Sequence, residues 1–130
     1  MAEKYRIVIA DEAALICREL REMLEEAEHT VVGVGSDGVE ALDLVKEKKP
    51  DLVILDVKMP RLDGIQTAKM IAHDNAAPVV LLTAFGDEDI IEKAKKSMVF
   101  GYVMKPVDER NLFPAIQIAV SQYRQKSEIV

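Results

Sequence analysis

The sequence predicts an α/β fold of five βα units, a three-layer sandwich around a parallel sheet. Two patterns carry this. Short apolar runs recur at near-regular spacing, at residues 5–10, 30–34, 52–55, 78–82 and 100–104. The segments between them repeat their apolar residues with helical period. Size and composition fit one domain with one real core: 130 residues, 49% hydrophobic and 31% charged.

The runs containing Ile7-Val8-Ile9, Val53-Ile54-Leu55 and Val79-Val80-Leu81-Leu82 show no apolar–polar alternation. Such runs suit strands covered on both faces. After the first run, Ile16, Leu20, Met23, Leu24 and Ala27 form a helical stripe, with Arg18, Glu19, Glu22, Glu25 and Glu26 elsewhere on the helix. Val39, Leu42 and Val45 mark a second helix, which ends before Lys49-Pro50 because proline disfavours the helical region in its predecessor. Ile65, Ala68, Ile71 and Ala72 mark a third. Ile90, Ile91 and Ala94 mark a fourth, with Asp89–Lys93 and Glu92–Lys96 as i,i+4 pairs. In the fifth, Leu112, Ile116, Ala119, Val120 and Tyr123 make the stripe. Asn111 as its N-cap would put Pro114 in the first turn, where the missing N–H is not needed. Asp108 could start the helix a turn earlier. The stripe fades after Tyr123, so residues 4–124 are expected to be the domain and 125–130 a tail or the start of a linker.

A formal net charge of −6 argues against a nucleic-acid platform. The single cysteine, Cys17, excludes an intramolecular disulfide framework and any multi-cysteine metal site, and beside an apolar stripe it reads as packing. No apolar run approaches the ~20 residues of a membrane span, and the N-terminus lacks signal-peptide architecture. A cytoplasmic protein is expected. His29 and His73 fall at helix ends and read as surface residues.

In an open parallel sheet, ligands bind beyond the carboxyl ends of the strands. Asp11 and Glu12 follow the first run, Asp56 the third, Thr83 the fourth, and Lys105 with Pro106 the fifth. Three gathered carboxylates repel one another unless a cation lies among them. Oxygen donors without His or Cys favour a hard ion such as Mg²⁺. A lysine and a threonine hydroxyl can offset charge on a phosphoryl group, so the set suits phosphoryl transfer, with Asp56 as the nucleophile.

Five segments then carry a specific likeness: Ile7-Val8-Ile9-Ala10-Asp11-Glu12, residues 50–60 around Asp56, Leu62-Asp63-Gly64, Thr83-Ala84, and Gly101-Tyr102-Val103-Met104-Lys105-Pro106. In order and over roughly residues 4–123, they resemble response-regulator receiver domains, of the kind seen in chemotaxis regulators. The resemblance implies a flavodoxin-like fold with strand order 2-1-3-4-5. It implies Asp56 as phosphoacceptor; Asp11, Glu12, Asp56 and the Lys58 backbone carbonyl as Mg²⁺ ligands; and Lys105 and Thr83 as phosphoryl-stabilising groups. Thr83 and Tyr102 would be the switch pair, and the bond before Pro106 would be cis. The implied partner is a sensor histidine kinase or phosphotransfer protein. Output would pass through the surface of the fourth helix, fifth strand and fifth helix, to a partner or a second copy in a homodimer. Residues 77–85 and 112–116 further resemble receivers of antiterminator (ANTAR) regulators, which carry an RNA-binding segment C-terminal to the receiver. Three departures stand out: Glu12 in place of the commoner aspartate, a cation at Lys58, and no Ala-Gly-Ala character over residues 96–100.

Two rival functions would use some of the same residues. A Mg²⁺-dependent phosphohydrolase with an aspartyl-phosphate intermediate would place a second Asp two residues after the first, where Lys58 stands, so a switch rather than an enzyme is expected. A binding module that does not use phosphate would be favoured by loss of Asp56 or Lys105, and both are present. The stretch Gly33-Val34-Gly35-Ser36-Asp37-Gly38 fits a dinucleotide fingerprint, yet Asp37 and Glu40 put negative charge where a pyrophosphate must sit. A glycine-rich turn with Ser36 or Asp37 as N-cap is the better reading.

Overall fold

The computed structural model describes residues 3–84, 89, 92–93 and 99–128. Five strands, β1 (Arg6–Ala10), β2 (Thr30–Gly35), β3 (Leu52–Asp56), β4 (Val79–Thr83) and β5 (Gly101–Met104), form one parallel sheet in the order β2-β1-β3-β4-β5. Helices α1 (Ala14–Glu26), α2 (Gly38–Lys48), α3 (Gly64–His73) and a C-terminal helix (Glu109–Glu128) cover it. The fourth helix expected around Ile90, Ile91 and Ala94 lies outside the described residues; Asp89, Glu92 and Lys93, which are described, are helical.

The unbroken apolar runs have a direct cause. Successive side chains of a strand point to opposite faces, and here both faces are covered. Ile7, Ile9, Leu52, Ile54, Val80 and Leu82 join Leu20, Leu24, Leu112 and Ile116 in one core. Val8, Ala10, Val53, Leu55, Val79 and Leu81 join Ala41, Val45, Ile65 and Ile71 in the other. Every residue of β3 and β4 is buried, and each large side chain so buried contributes roughly 1.5–3 kcal/mol.

Local chemistry starts the helices. Asp37 caps α2 by accepting from the Glu40 N–H. Asp63 and Gln66 form a capping box at α3. At the C-terminal helix the cap is Asp108, not Asn111: the two exchange side chain-to-backbone bonds of 2.9 Å in each direction. Asn111 also donates to the carbonyls of Met104 and Pro106. This reciprocal pairing satisfies two end groups at once and pulls the start back by a turn. Pro114 consequently lies inside the helix, where it removes the bond to the Arg110 carbonyl. The helix runs on to Glu128, past the end of its apolar stripe.

His73 is exposed as expected, but His29 is not a plain surface residue. Its ring stacks on Tyr5 at 5.4 Å, meets Phe113 edge-on, and its Nδ1 accepts the Tyr5 backbone N–H at 3.0 Å. Burial, helped by Lys4, lowers the His29 pKa. A histidine held neutral in the fold stabilises it fully above its unfolded pKa near 6.5, and that contribution is lost as pH falls through the lower folded value. Wild type should therefore lose about 2 °C more of its melting temperature than His29→Asn between pH 7 and pH 5. Asn keeps an acceptor for Tyr5 without a titrating ring. Parallel melting curves for the two proteins across that range would remove the role assigned to this ring.

Candidate functional site

Strand register brings the chemistry together. Ala10 pairs with Leu55, so the next residues, Asp11 and Asp56, stand level at the carboxyl edge. Asp56 pairs with Leu82, and Thr83 with Met104, which places Thr83 and Lys105 along the same edge. Backbone bonds continue the ladder one residue beyond the strands, from Asp11 N–H to Gly35, Val57 N–H to Leu82 and Lys105 N–H to Thr83. The backbone is thus hydrogen-bonded up to the points where the candidate side chains leave it.

Lys105 reaches between the two aspartates. Its Nζ lies 2.9 Å from Asp56 Oδ1 and 3.1 Å from Asp11 Oδ2. Asp11 is 2% exposed and Asp56 8%, so these charge-assisted bonds are shielded from water. Asp11 Oδ1 accepts the Ala13 N–H at 2.8 Å, an Asx turn that aims the carboxylate across the sheet edge. Helix α1 meanwhile has Ala13 at its N-cap position, with no side-chain cap bond. Asp11 does not serve as that helix's N-cap.

Burial pushes the Asp56 carboxyl above its ordinary range, and the Asp11 charge adds to this, while the Lys105 ammonium pulls it back. For Lys105 burial alone would lower the pKa, but the two carboxylates outweigh it and hold the ammonium charged. Cys17 Sγ sits 3.5 Å from the Asp11 carbonyl, buried, and burial raises its thiol pKa. An inert packing residue is the result.

The other anticipated groups are nearby but less engaged. Thr83 is buried, its hydroxyl donating to the Ala84 carbonyl at 3.4 Å. Tyr102 is 43% exposed on β5. The Lys105–Pro106 peptide bond is cis. Glu12 is exposed and lines grooves on both sides of the site, one with Lys58 and Asp63 and the other with Asp11 and Cys17. The expected meeting of three carboxylates is thus a meeting of two around an ammonium. Among the described residues no three acidic, His or Cys side chains stand together as a metal cage. The donor chemistry still fits a hard divalent ion: Asp11 and Asp56 are adjacent oxygen donors, and Glu12 and Lys58 border the same groove.

The response regulator receiver domain profile matches residues 7–117. The chain belongs to the receiver-domain family. It is 48% identical over 120 residues to the transcriptional regulatory protein PdtaR of Mycobacterium tuberculosis, covering 92% of this chain and 58% of that protein. The chain therefore spans somewhat over half the length of that relative. Chemotaxis protein CheY of Halobacterium salinarum is 35% identical over 112 residues, with 85% of this chain and 92% of that one covered. Among solved structures, the receiver of a modulated diguanylate cyclase from Desulfovibrio desulfuricans superposes with a TM-score of 0.87 at 28% identity, over 95% of this chain and 99% of the other. The NarL receiver from Mycobacterium tuberculosis gives 0.83, also at 28%, over 92% and 98%. The flavodoxin-like order is the one this receiver adopts. No helix among its described residues is long and apolar enough to cross a membrane.

The dinucleotide-like glycine run has another use in this receiver. The start of α2 is already occupied by the chain's own carboxylates, Asp37 on the Glu40 N–H and Glu40 on the Ser36 N–H and hydroxyl. Gly38 is required by packing: a Cβ there would overlap the Leu62 carbonyl and Thr67 Oγ1. An ion pair at this turn was not anticipated. Arg61 Nε and Nη2 both reach Asp37 Oδ2, at 2.8 and 2.7 Å. The partners are 24 residues apart and share no periodicity that would announce them.

Proposed function

We propose that this receiver accepts a phosphoryl group on Asp56 from the phosphohistidine of a partner kinase or phosphotransfer protein, and acts as a switch rather than a turnover enzyme. The observation that carries this is the buried Asp11–Lys105–Asp56 cluster at the carboxyl edge of the sheet. An Asp56 carboxylate oxygen forms the new O–P bond as the donor's N–P bond breaks, and the freed imidazole takes a proton from water. The Lys105 ammonium, already at bonding distance from Asp56, moves its contact to a phosphoryl oxygen, and the Thr83 hydroxyl turns from Ala84 to another. Asp11, Glu12, Asp56 and the Lys58 carbonyl would hold Mg²⁺, which when bound supplies charge neutralisation for the transferring group. Thr83 and the half-exposed Tyr102 are the proposed switch pair. Their motion would alter the surface of the fourth helix, β5 and the C-terminal helix, where a partner or second copy would dock. Lys58 stands where a phosphohydrolase would have its acid/base aspartate, which favours a long-lived adduct over turnover. The similarity to PdtaR, an ANTAR-type regulator, supports a role in transcription control exerted through a further segment or partner.

Acetyl phosphate with Mg²⁺ should add the mass of one phosphoryl group to wild type and none to Asp56→Asn. With no Trp in the chain, intact mass is the suitable readout. An unmodified wild type would sink the phosphoacceptor reading, and rapid multiple turnover would favour the hydrolase.

A further inference from the structure

Asp56 is followed by a seven-residue connection, residues 57–63, before α3 begins. It is held at several points. Val57 and Met59 are buried, and the Gly64 N–H returns to the Val57 carbonyl at 2.8 Å. Between these anchors Arg61 has φ of 66°, left-handed for a non-glycine residue, and the Leu62 N–H closes on the Pro60 carbonyl at 2.7 Å. A γ-turn with positive φ is a strained choice that persists only where its surroundings impose it. The constraint on Arg61 is its guanidinium, aimed with two N–H groups at one oxygen of Asp37.

Asp37 is itself fixed. It is 6% exposed, its other oxygen caps α2, and its neighbour Gly38 packs against Leu62 of the same connection. Two residues earlier, the Gly35 carbonyl accepts the Asp11 N–H. The contacts therefore close a ring: Asp11 to Lys105 to Asp56, along the connection to Arg61, across to Asp37, and through Gly35 back to Asp11. The Lys58 carbonyl lies on that ring, between Asp56 and Arg61.

We propose that Arg61 and Asp37 are positioning residues for the divalent-cation site, holding the connection that carries the Lys58 carbonyl in register with Asp11 and Asp56. This rests on the phosphoacceptor reading of the site and deepens it. The side chain of Arg61 is 57% exposed against 9% for Asp37, and an ion pair whose cation stays in water adds little to global stability. Its role is to select one loop conformation, so its loss appears in metal binding and not in melting temperature. Residues that orient metal ligands from behind change affinity by about 10–100-fold. Lys58 stands three residues from Arg61 along the chain and Met59 is separately buried, so the lower end of that range applies.

Mg²⁺ alone, titrated into the whole chain and followed by amide shifts at Asp11, Asp56 and Lys58, tests this without any phosphodonor. Arg61→Ala should bind Mg²⁺ about tenfold more weakly than wild type, with a melting temperature of the metal-free protein within about 2 °C. Arg61→Lys should recover part of the affinity. Asp37→Asn keeps a capping oxygen while removing the charge, and should match Arg61→Ala. The double variant should be no weaker than either single one. Equal Mg²⁺ affinity in Arg61→Ala and wild type overturns the proposal, as does a double variant in which the two losses add in full. A wild type that binds no Mg²⁺ at millimolar concentration overturns instead the phosphoacceptor reading beneath it.

Discussion

Lys105→Met is expected to lower the rate of phosphoryl acceptance at Asp56 by about 10²–10³-fold, the usual loss when one pre-aimed charge-stabilising donor is removed. Methionine retains most of the side chain's length and apolar bulk, so the change isolates the ammonium. In the free protein that ammonium is the only described cation bonded to Asp11 and Asp56, at 3.1 and 2.9 Å. Without it two buried carboxylates face each other and repel, with no bonded cation between them. Mg²⁺ binding should accordingly strengthen in the variant, because the added cation no longer competes with a resident one. Affinity for the ion and ability to accept phosphate thus move in opposite directions, which a general loss of structure cannot produce. Rates come from intact mass against time with acetyl phosphate, and affinities from amide shifts. Acceptance at the wild-type rate would remove Lys105 from the reaction. Lys105 stays protonated until pH passes its raised value, above the ordinary 10.5, so its contribution to stability is complete at neutral pH and declines only in strong base.

Gly64→Ala is expected to have the largest effect on stability, about 3 kcal/mol or a fall of about 10 °C in melting temperature. A Cβ at Gly64 would overlap the Asp56 carbonyl oxygen and stand 2.9 Å from the Val57 Cα. These are backbone atoms, at the end of a strand with neighbours on both sides and a bond from Val57 to Leu82. They cannot swing aside as a side-chain tip would. The cheapest relief is to lift the start of α3, which breaks the Gly64–Val57 bond and tilts the backbone that carries Asp56. Loss of stability and loss of phosphoryl acceptance should therefore appear together. Gly101→Ala is the matched control: there a Cβ meets nothing closer than 3.8 Å, and melting should move by no more than about 3 °C. If Gly64→Ala melts as wild type does, the close approach of α3 to the end of β3 is wrong.

Much of the fold is written in local pattern. The runs Val53-Ile54-Leu55 and Val79-Val80-Leu81-Leu82 announce strands buried on both faces, because no solvent-facing position interrupts them. Asp11, Asp56, Thr83 and Lys105 are legible as candidate site residues because each stands at or just beyond the end of such a run, and parallel strands bring all those ends to one edge. Where residues compete, local reading is less sharp. Asn111 and Asp108 are both good caps, and only their reciprocal bonding settles the choice for Asp108. His29 resembles any polar residue at a helix end until Tyr5 and Phe113 arrive from elsewhere in the chain to enclose it.

By itself, then, the sequence determined the strand and helix periods, the edge at which the chemistry collects and the residue types available there, since these depend on neighbours a few positions apart. The tertiary structure alone decided the rest. Two acids, not three, close on Lys105 while Glu12 stays in solvent. Arg61 crosses to Asp37, and Gly64 lies against the Asp56 backbone. Each of these depends on distances of a few ångströms between segments remote in sequence, set by sheet register and helix packing, and hydrogen bonds weaken while close contacts turn repulsive over about one ångström.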